Sequence, residues 1–123
     1  MAGILIVEDN RDLAVILRDL LSLEHEVRTA WRGEDAVRMV RERAPDLVIM
    51  DLQLPGMDGL ETSRWIKREA PIPILVLTAL AAAGDPEAVL ASGCCDAYMA
   101  KPASLTEIRN KVNELLGERT HSS

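Results

Sequence analysis

Positive charge is in short supply in this chain: 14 lysines and arginines stand against 20 aspartates and glutamates, leaving a formal net charge of −6. No basic stripe is visible, which argues against a general nucleic-acid-binding surface and favours proteins or small ions as partners. Long hydrophobic runs are missing too. The longest mostly apolar stretch, from Ile72 to Ala83, contains Pro73 and is too short to cross a bilayer. Met1-Ala2-Gly3 leads directly into a strand-like segment that reaches acids at position 8, so no secretory pattern opens the sequence and a cytoplasmic protein is expected. Cysteine is confined to the adjacent pair Cys94 and Cys95. A disulfide between neighbours is strained and a cytoplasmic chain keeps its thiols reduced, so one is expected to be buried and the other near the surface. No repeat, linker or low-complexity block appears. With 123 residues, 48% of them hydrophobic, the chain suffices for one domain with its own core.

Against these absences stand apolar runs that each stop on a polar residue. Ile4-Leu5-Ile6-Val7 ends at Glu8-Asp9, Leu47-Val48-Ile49-Met50 at Asp51, Ile74-Leu75-Val76-Leu77 at Thr78, and the shorter Ala97-Tyr98-Met99-Ala100 at Lys101-Pro102. Between them the periodicity becomes helical. Leu13, Ile16, Leu17 and Leu20 mark one face of a first helix; Ala36, Val37, Val40 and Ala44 mark a second that stops at Pro45. A third helix is predicted from Gly59 to Glu69 with Asp58 as cap, and a short fourth from Asp85-Pro86-Glu87, carrying Ala88 to Ala91. The fifth opens near Ser104, spaces Leu105, Ile108, Val112, Leu115 and Leu116 on one stripe, and is expected to end at Gly117. Residues 1–117 thus form the expected domain, with 118–123 a flexible tail. His25 to Ala30 alternates, as a half-exposed strand does.

Five β-α units imply an α/β fold, a doubly wound parallel sheet with helices on both faces. The uniformly apolar first, third and fourth strands belong inside, and the alternating second and short fifth at the edges. The order 2-1-3-4-5 satisfies this, with its switch point between strands one and three, where Glu8-Asp9 and Asp51 flank the crevice. Two carboxylates about 5 Å apart repel by ~3 kcal/mol at an effective dielectric of about 20, so three acids there favour recruiting a hard cation such as Mg²⁺. Asp9 and Asp51 would ligate directly, Glu8 through water, and a backbone carbonyl just after Asp51 would complete the protein's share. A carboxylate oxygen of Asp51 can also attack a phosphoryl group in line, giving an acyl phosphate. Thr78 lies one strand from Asp51 and Lys101 two strands away, a gap only a long side chain closes. Pro102 is a candidate for a cis peptide that aims the lysine.

These residues fall within signatures that run in order along nearly the whole chain: Leu5 to Asn10, Asp46 to Asp51, Leu54-Pro55-Gly56-Met57-Asp58-Gly59, Leu77-Thr78-Ala79, and Asp96 to Pro102. The sequence resembles the receiver domain of two-component response regulators, especially single-domain members of the CheY and DivK kind. The resemblance implies that Asp51 accepts a phosphoryl group from a histidine kinase or histidine phosphotransfer protein, with Mg²⁺ held by Asp9, Asp51 and the Gln53 carbonyl and with Glu8 helping. It further implies that Thr78 and Lys101 contact the phosphoryl oxygens. Thr78 and Tyr98 would then switch a protein-binding face made of helix four, strand five and helix five. Output is expected through a downstream effector protein, without direct DNA or membrane binding and without turnover of external substrates. The stretch from Thr78 to Lys101 is slightly longer than the family's usual spacing, with Cys94-Cys95 as the candidate insertion.

Other readings predict other residues. An aspartyl-phosphate phosphatase typically wants a second acid two residues after its nucleophile, where this chain has Gln53, and a flavodoxin-like carrier would find its flavin phosphate repelled by Glu8-Asp9. A receiver-like scaffold that ignores phosphate would not need all five site positions. Trp31 and Trp65 are expected to cover grooves, His25 and His121 to face solvent, and Arg38, Arg41 and Arg43 to form a solvated helix face.

Overall fold

The computed structural model describes residues 2–79 and 85–120. Among these residues five strands, β1 (Gly3–Val7), β2 (Glu26–Ala30), β3 (Leu47–Met50), β4 (Ile74–Ala79) and β5 (Ala97–Lys101), alternate with five helices, α1 (Arg11–Leu21), α2 (Gly33–Glu42), α3 (Gly59–Glu69), α4 (Pro86–Ala91) and α5 (Leu105–Thr120). The strands are all parallel, in the order β2-β1-β3-β4-β5 read from the hydrophobic pattern. β3 is buried throughout, as are β1 and β4 but for Gly3 and Ala79, whereas every residue of β5 and most of β2 keep some exposure. A strand covered on both faces has no polar side to spare, which is why the apolar runs located the sheet interior.

Alternation along each strand divides the core in two. Leu5, Val7, Val48, Met50, Ile74 and Val76 pack with α2 and α3 residues such as Val37, Val40 and Ile66, and with Val89 of α4. Ile4, Ile6, Leu47, Ile49, Leu75 and Leu77 pack on the other face with Leu17 and Leu21 of α1 and Ile108, Val112, Leu115 and Leu116 of α5. Short polar caps open four of these helices: Asn10 accepts from Leu13 N–H at 3.1 Å, Asp58 from Glu61 N–H at 2.8 Å, Asp85 from Glu87 N–H at 3.0 Å, and Ser104 from Glu107 N–H at 3.0 Å. No helix among the described residues is long and apolar enough to cross a membrane.

Several expectations need correction. Ile16 and Leu105 are exposed, because Ala14, Leu17 and Leu21 on α1 and Ile108 onward on α5 supply the sheet-facing stripes. α2 ends at Glu42, so Ala44 is an exposed loop residue. Gly117 does not stop α5, which continues to Thr120; a glycine inside a helix costs only about 1 kcal/mol. Of the expected tail, residues 121–123, with His121, lie outside the described residues. Both Cys94 and Cys95 are buried and unbonded to each other, and burial pushes the Cys95 thiol up to about 11. His25 is half-buried and its Nδ1 accepts the Ala2 N–H at 3.3 Å. The arginines do lie in solvent, with Arg38 bridging Asp35 and Glu42, Arg41 on Glu69, and Arg43 on Glu26. Trp31 and Trp65 carry the guanidinium groups of Arg11 and Arg68 over their rings, at 4.8 and 5.1 Å.

Candidate phosphoacceptor site

Register brings the acids together. Val7 of β1 lies beside Met50 of β3, so the residues that follow each strand, Glu8 and Asp51, emerge side by side at the carboxyl edge. Backbone bonds fix both, from Glu8 N–H to the Ala30 carbonyl at 3.1 Å and from Asp51 N–H to the Val7 carbonyl at 3.0 Å. Asp9 follows in the open, and ligand oxygens of Glu8, Asp9 and Asp51 lie within 4.8 Å of one another. Thr78, from β4, is fully buried and donates its hydroxyl to Asp51 Oδ1 at 2.9 Å. Gln53 N–H reaches the same oxygen at 3.0 Å. Lys101, the last residue of β5, extends across the edge to Asp51 Oδ2 at 3.3 Å and Glu8 Oε1 at 2.8 Å. Its bond to Pro102 is cis.

The electrostatics follow from burying more acid than base. Burial, with a hydrogen bond to Asp51 and the charge of Asp51, raises Glu8 from 4.5 to about 8, against the opposing pull of Lys101. Burial works against ionisation of Asp51 too, but hydrogen bonds from Glu8, Gln53 N–H and Thr78 and the charge of Lys101 outweigh it and hold Asp51 below the usual carboxylate range. Burial pulls Lys101 toward neutrality, and Glu8 and Asp51 more than reverse that pull, so the ammonium is held charged. The result is an ionised Asp51, a protonated Glu8 and a cationic Lys101 around one crevice at neutral pH.

Sequence reasoning passed over one residue that shapes this site. Gly59 looked like an ordinary helix start, yet a Cβ there would lie 2.3 Å from the Asp51 carbonyl oxygen and 2.5 Å from Leu52 Cα. Only a hydrogen at that position lets α3 begin against the backbone that carries Asp51, and the Asp58-Gly59 pair was the available signal. Tyr98, named for a switch, packs its ring against the core layer under α2, α3 and α4, with its hydroxyl buried and, among the described residues, unpartnered. Thr78 is already turned to Asp51 in the same structure.

The model of the response regulator receiver domain matches residues 4–113. The chain belongs to that family. It is 36% identical over 120 residues to the polar-differentiation response regulator DivK of Brucella anthropi, covering 94% of this chain and 97% of the relative. Among solved structures it resembles the receiver domain of a sensor histidine kinase from Pseudomonas aeruginosa PAO1, described with a magnesium ion coordinated in its active-site cleft. That match has a TM-score of 0.83 and 33% identity, covering 94% of this chain and 98% of that one. The N-terminal domain of the nisin resistance regulator NsrR aligns with a TM-score of 0.84 and 26% identity over 94% of this chain and 98% of its own. Membership makes this receiver a signalling regulator of the phosphorylatable, DivK-like and CheY-like kind rather than an enzyme that turns over external substrates.

Proposed function

We propose that Asp51 is the phosphoacceptor of this receiver, taking a phosphoryl group from a histidine kinase or histidine phosphotransfer protein. The observation that carries the reading is the asymmetric grip on its carboxylate. Oδ1 accepts two hydrogen bonds near 3 Å, from Thr78 and Gln53 N–H, while Oδ2 faces Lys101 at 3.3 Å. An ionised carboxylate anchored by one oxygen presents the other as a nucleophile. Attack on phosphorus forms the acyl phosphate P–O bond as the bond to the donor breaks, and the leaving group keeps that electron pair. Lys101 and Thr78 are the donors placed to receive the phosphoryl oxygens as charge gathers there.

The donor set fits Mg²⁺: three carboxylates face one ammonium, and Glu8 holds a proton at neutral pH in place of missing positive charge. Glu8, Asp9, Asp51 and the Gln53 carbonyl would hold the ion, which when bound supplies charge neutralisation to the phosphoryl oxygens. Output is proposed to run through Thr78 and Tyr98 to the face formed by α4, β5 and α5, where a downstream effector protein binds. Because both side chains already occupy inward positions, phosphorylation would stabilise an arrangement the fold itself holds, a shift of population. A cytoplasmic site of action, a receiver spanning residues 1–117 and an output without direct DNA contact go with this reading.

Intact-mass measurement after incubation with acetyl phosphate and Mg²⁺ tests it. The parent should gain one base-labile phosphoryl adduct that Asp51→Asn lacks; equal labelling of both would refute the assignment.

A further inference from the structure

The loop that joins β3 to α3 carries Gln53, and its two ends are well secured. Gln53 N–H is tied to Asp51 Oδ1 at 3.0 Å, and Gly59 N–H to the Leu52 carbonyl at 3.2 Å beside the Asp58 cap. The middle is different. From Leu54 to Met57, among the described residues, the loop makes one hydrogen bond, in which Met57 N–H donates to Glu34 Oε1 at 3.2 Å. Glu34 belongs to the first turn of α2 and to none of the motifs above.

Its neighbours explain how it reaches. At Gly33 a Cβ would lie 2.1 Å from Thr62 Oγ1 and 3.0 Å from the Met57 carbonyl oxygen, so the absence of a side chain lets α2 start hard against α3 and the loop. At Gly56 the backbone turns left-handed, with φ +74°, and a Cβ there would lie 3.4 Å from both Glu34 carboxylate oxygens. The loop therefore curls around this carboxylate, and a charged acceptor makes the stronger class of hydrogen bond.

We propose that Glu34 is a positioning residue for the phosphoacceptor loop: by holding Met57 it fixes the loop's course and so the aim of the Gln53 carbonyl beside Asp51. The inference rests on the function proposed above. Glu34 touches none of the site residues itself and acts only through the loop.

Three proteins decide the matter: the parent, Glu34→Ala and Glu34→Gln. For each, amide exchange of Met57 is followed by NMR without added metal, and Mg²⁺ affinity and the initial rate of acetyl phosphate labelling are measured. Glu34→Ala should speed Met57 exchange about tenfold and weaken Mg²⁺ affinity and labelling about three- to tenfold. Glu34→Gln, which keeps an acceptor oxygen, should restore most of each. Unchanged Met57 exchange in Glu34→Ala, Mg²⁺ affinity within twofold of the parent, or no recovery in Glu34→Gln would overturn the proposal. A parent that takes no label would instead overturn the phosphoacceptor reading, and the exchange and Mg²⁺ measurements would still judge Glu34.

Discussion

Two lysines tie the opposite edges of this sheet, and each leaves 25% of its side chain open to solvent. At the amino edge Lys67 donates to Asp96 Oδ2 at 2.6 Å and to the Ile72 carbonyl at 2.8 Å, while the same Asp96 oxygen accepts Ile74 N–H at 2.8 Å. One cation meets one carboxylate, itself 41% exposed, and the cluster joins α3, β4 and the start of β5 with its charges matched. At the carboxyl edge Lys101 meets Glu8 and Asp51, whose side chains are only 4% and 5% exposed, with Asp9 close by. Here three acids share one base. The contact chemistry is the same at both edges, so the imbalance and the depth of the acids separate a structural clasp from the proposed phosphoacceptor site.

Exchanging each lysine for methionine should break the comparison most sharply. Lys101→Met is expected to slow acetyl phosphate labelling about a hundredfold, the scale of losing one charge-stabilising donor. Lys67→Met should label within about twofold of the parent yet lose about 1–3 kcal/mol of unfolding stability in urea, because Asp96 and the Ile72 carbonyl lose their shared donor. Labelling that suffered equally in both variants would show that the edges do not differ in function.

The pH dependence of stability sharpens the same contrast. In the fold Glu8 titrates near 8, against an ordinary 4.5, so the native state binds the extra proton between those values. Its contribution is complete below pH 4.5, declines as pH rises through the window, and is gone above about 8. Urea unfolding without divalent cation should therefore show stability falling by about 1–3 kcal/mol from pH 5 to 8.5, while Glu8→Gln flattens that slope. Saturating Mg²⁺ should flatten it in the parent as well. A parent slope matched by Glu8→Gln would place the titrating group elsewhere, and the carboxyl edge would not be short of positive charge.

How far such a site can be read from sequence depends on what each residue answers to. Asp51, Thr78 and Lys101 were legible because each ends an apolar strand, and a parallel sheet sends all such endings to one edge. The sheet order followed from which runs had no polar side. The details of helix faces were less accessible: Ile16 and Leu105 match a helical period as well as their buried neighbours do, and only the packing angle on the sheet decides which of them face solvent. Cys95 was ambiguous because a small side chain fits inside or outside, and its burial depends on how the turn before β5 meets the core. Glu34 lay beyond reach for another reason, since a close approach between backbone segments leaves no periodic trace, and for Gly59 the Asp58-Gly59 pair was the one signal.

The smallest expected effect concerns Tyr98, which extends the comparison of satisfied and unsatisfied polar groups to the middle of β5. Its hydroxyl is buried without a partner among the described residues, a position that ordinarily costs free energy because the group gives up water for nothing. Removing only that oxygen should therefore leave Tyr98→Phe as stable as the parent or more stable by up to about 1 kcal/mol, with labelling unchanged. Under the proposed output through Thr78 and Tyr98, binding of an effector should still change. A loss of more than about 1 kcal/mol in urea would mean the oxygen supports the resting state, and Tyr98 would then join Lys67 on the structural side of the comparison rather than Lys101 on the other.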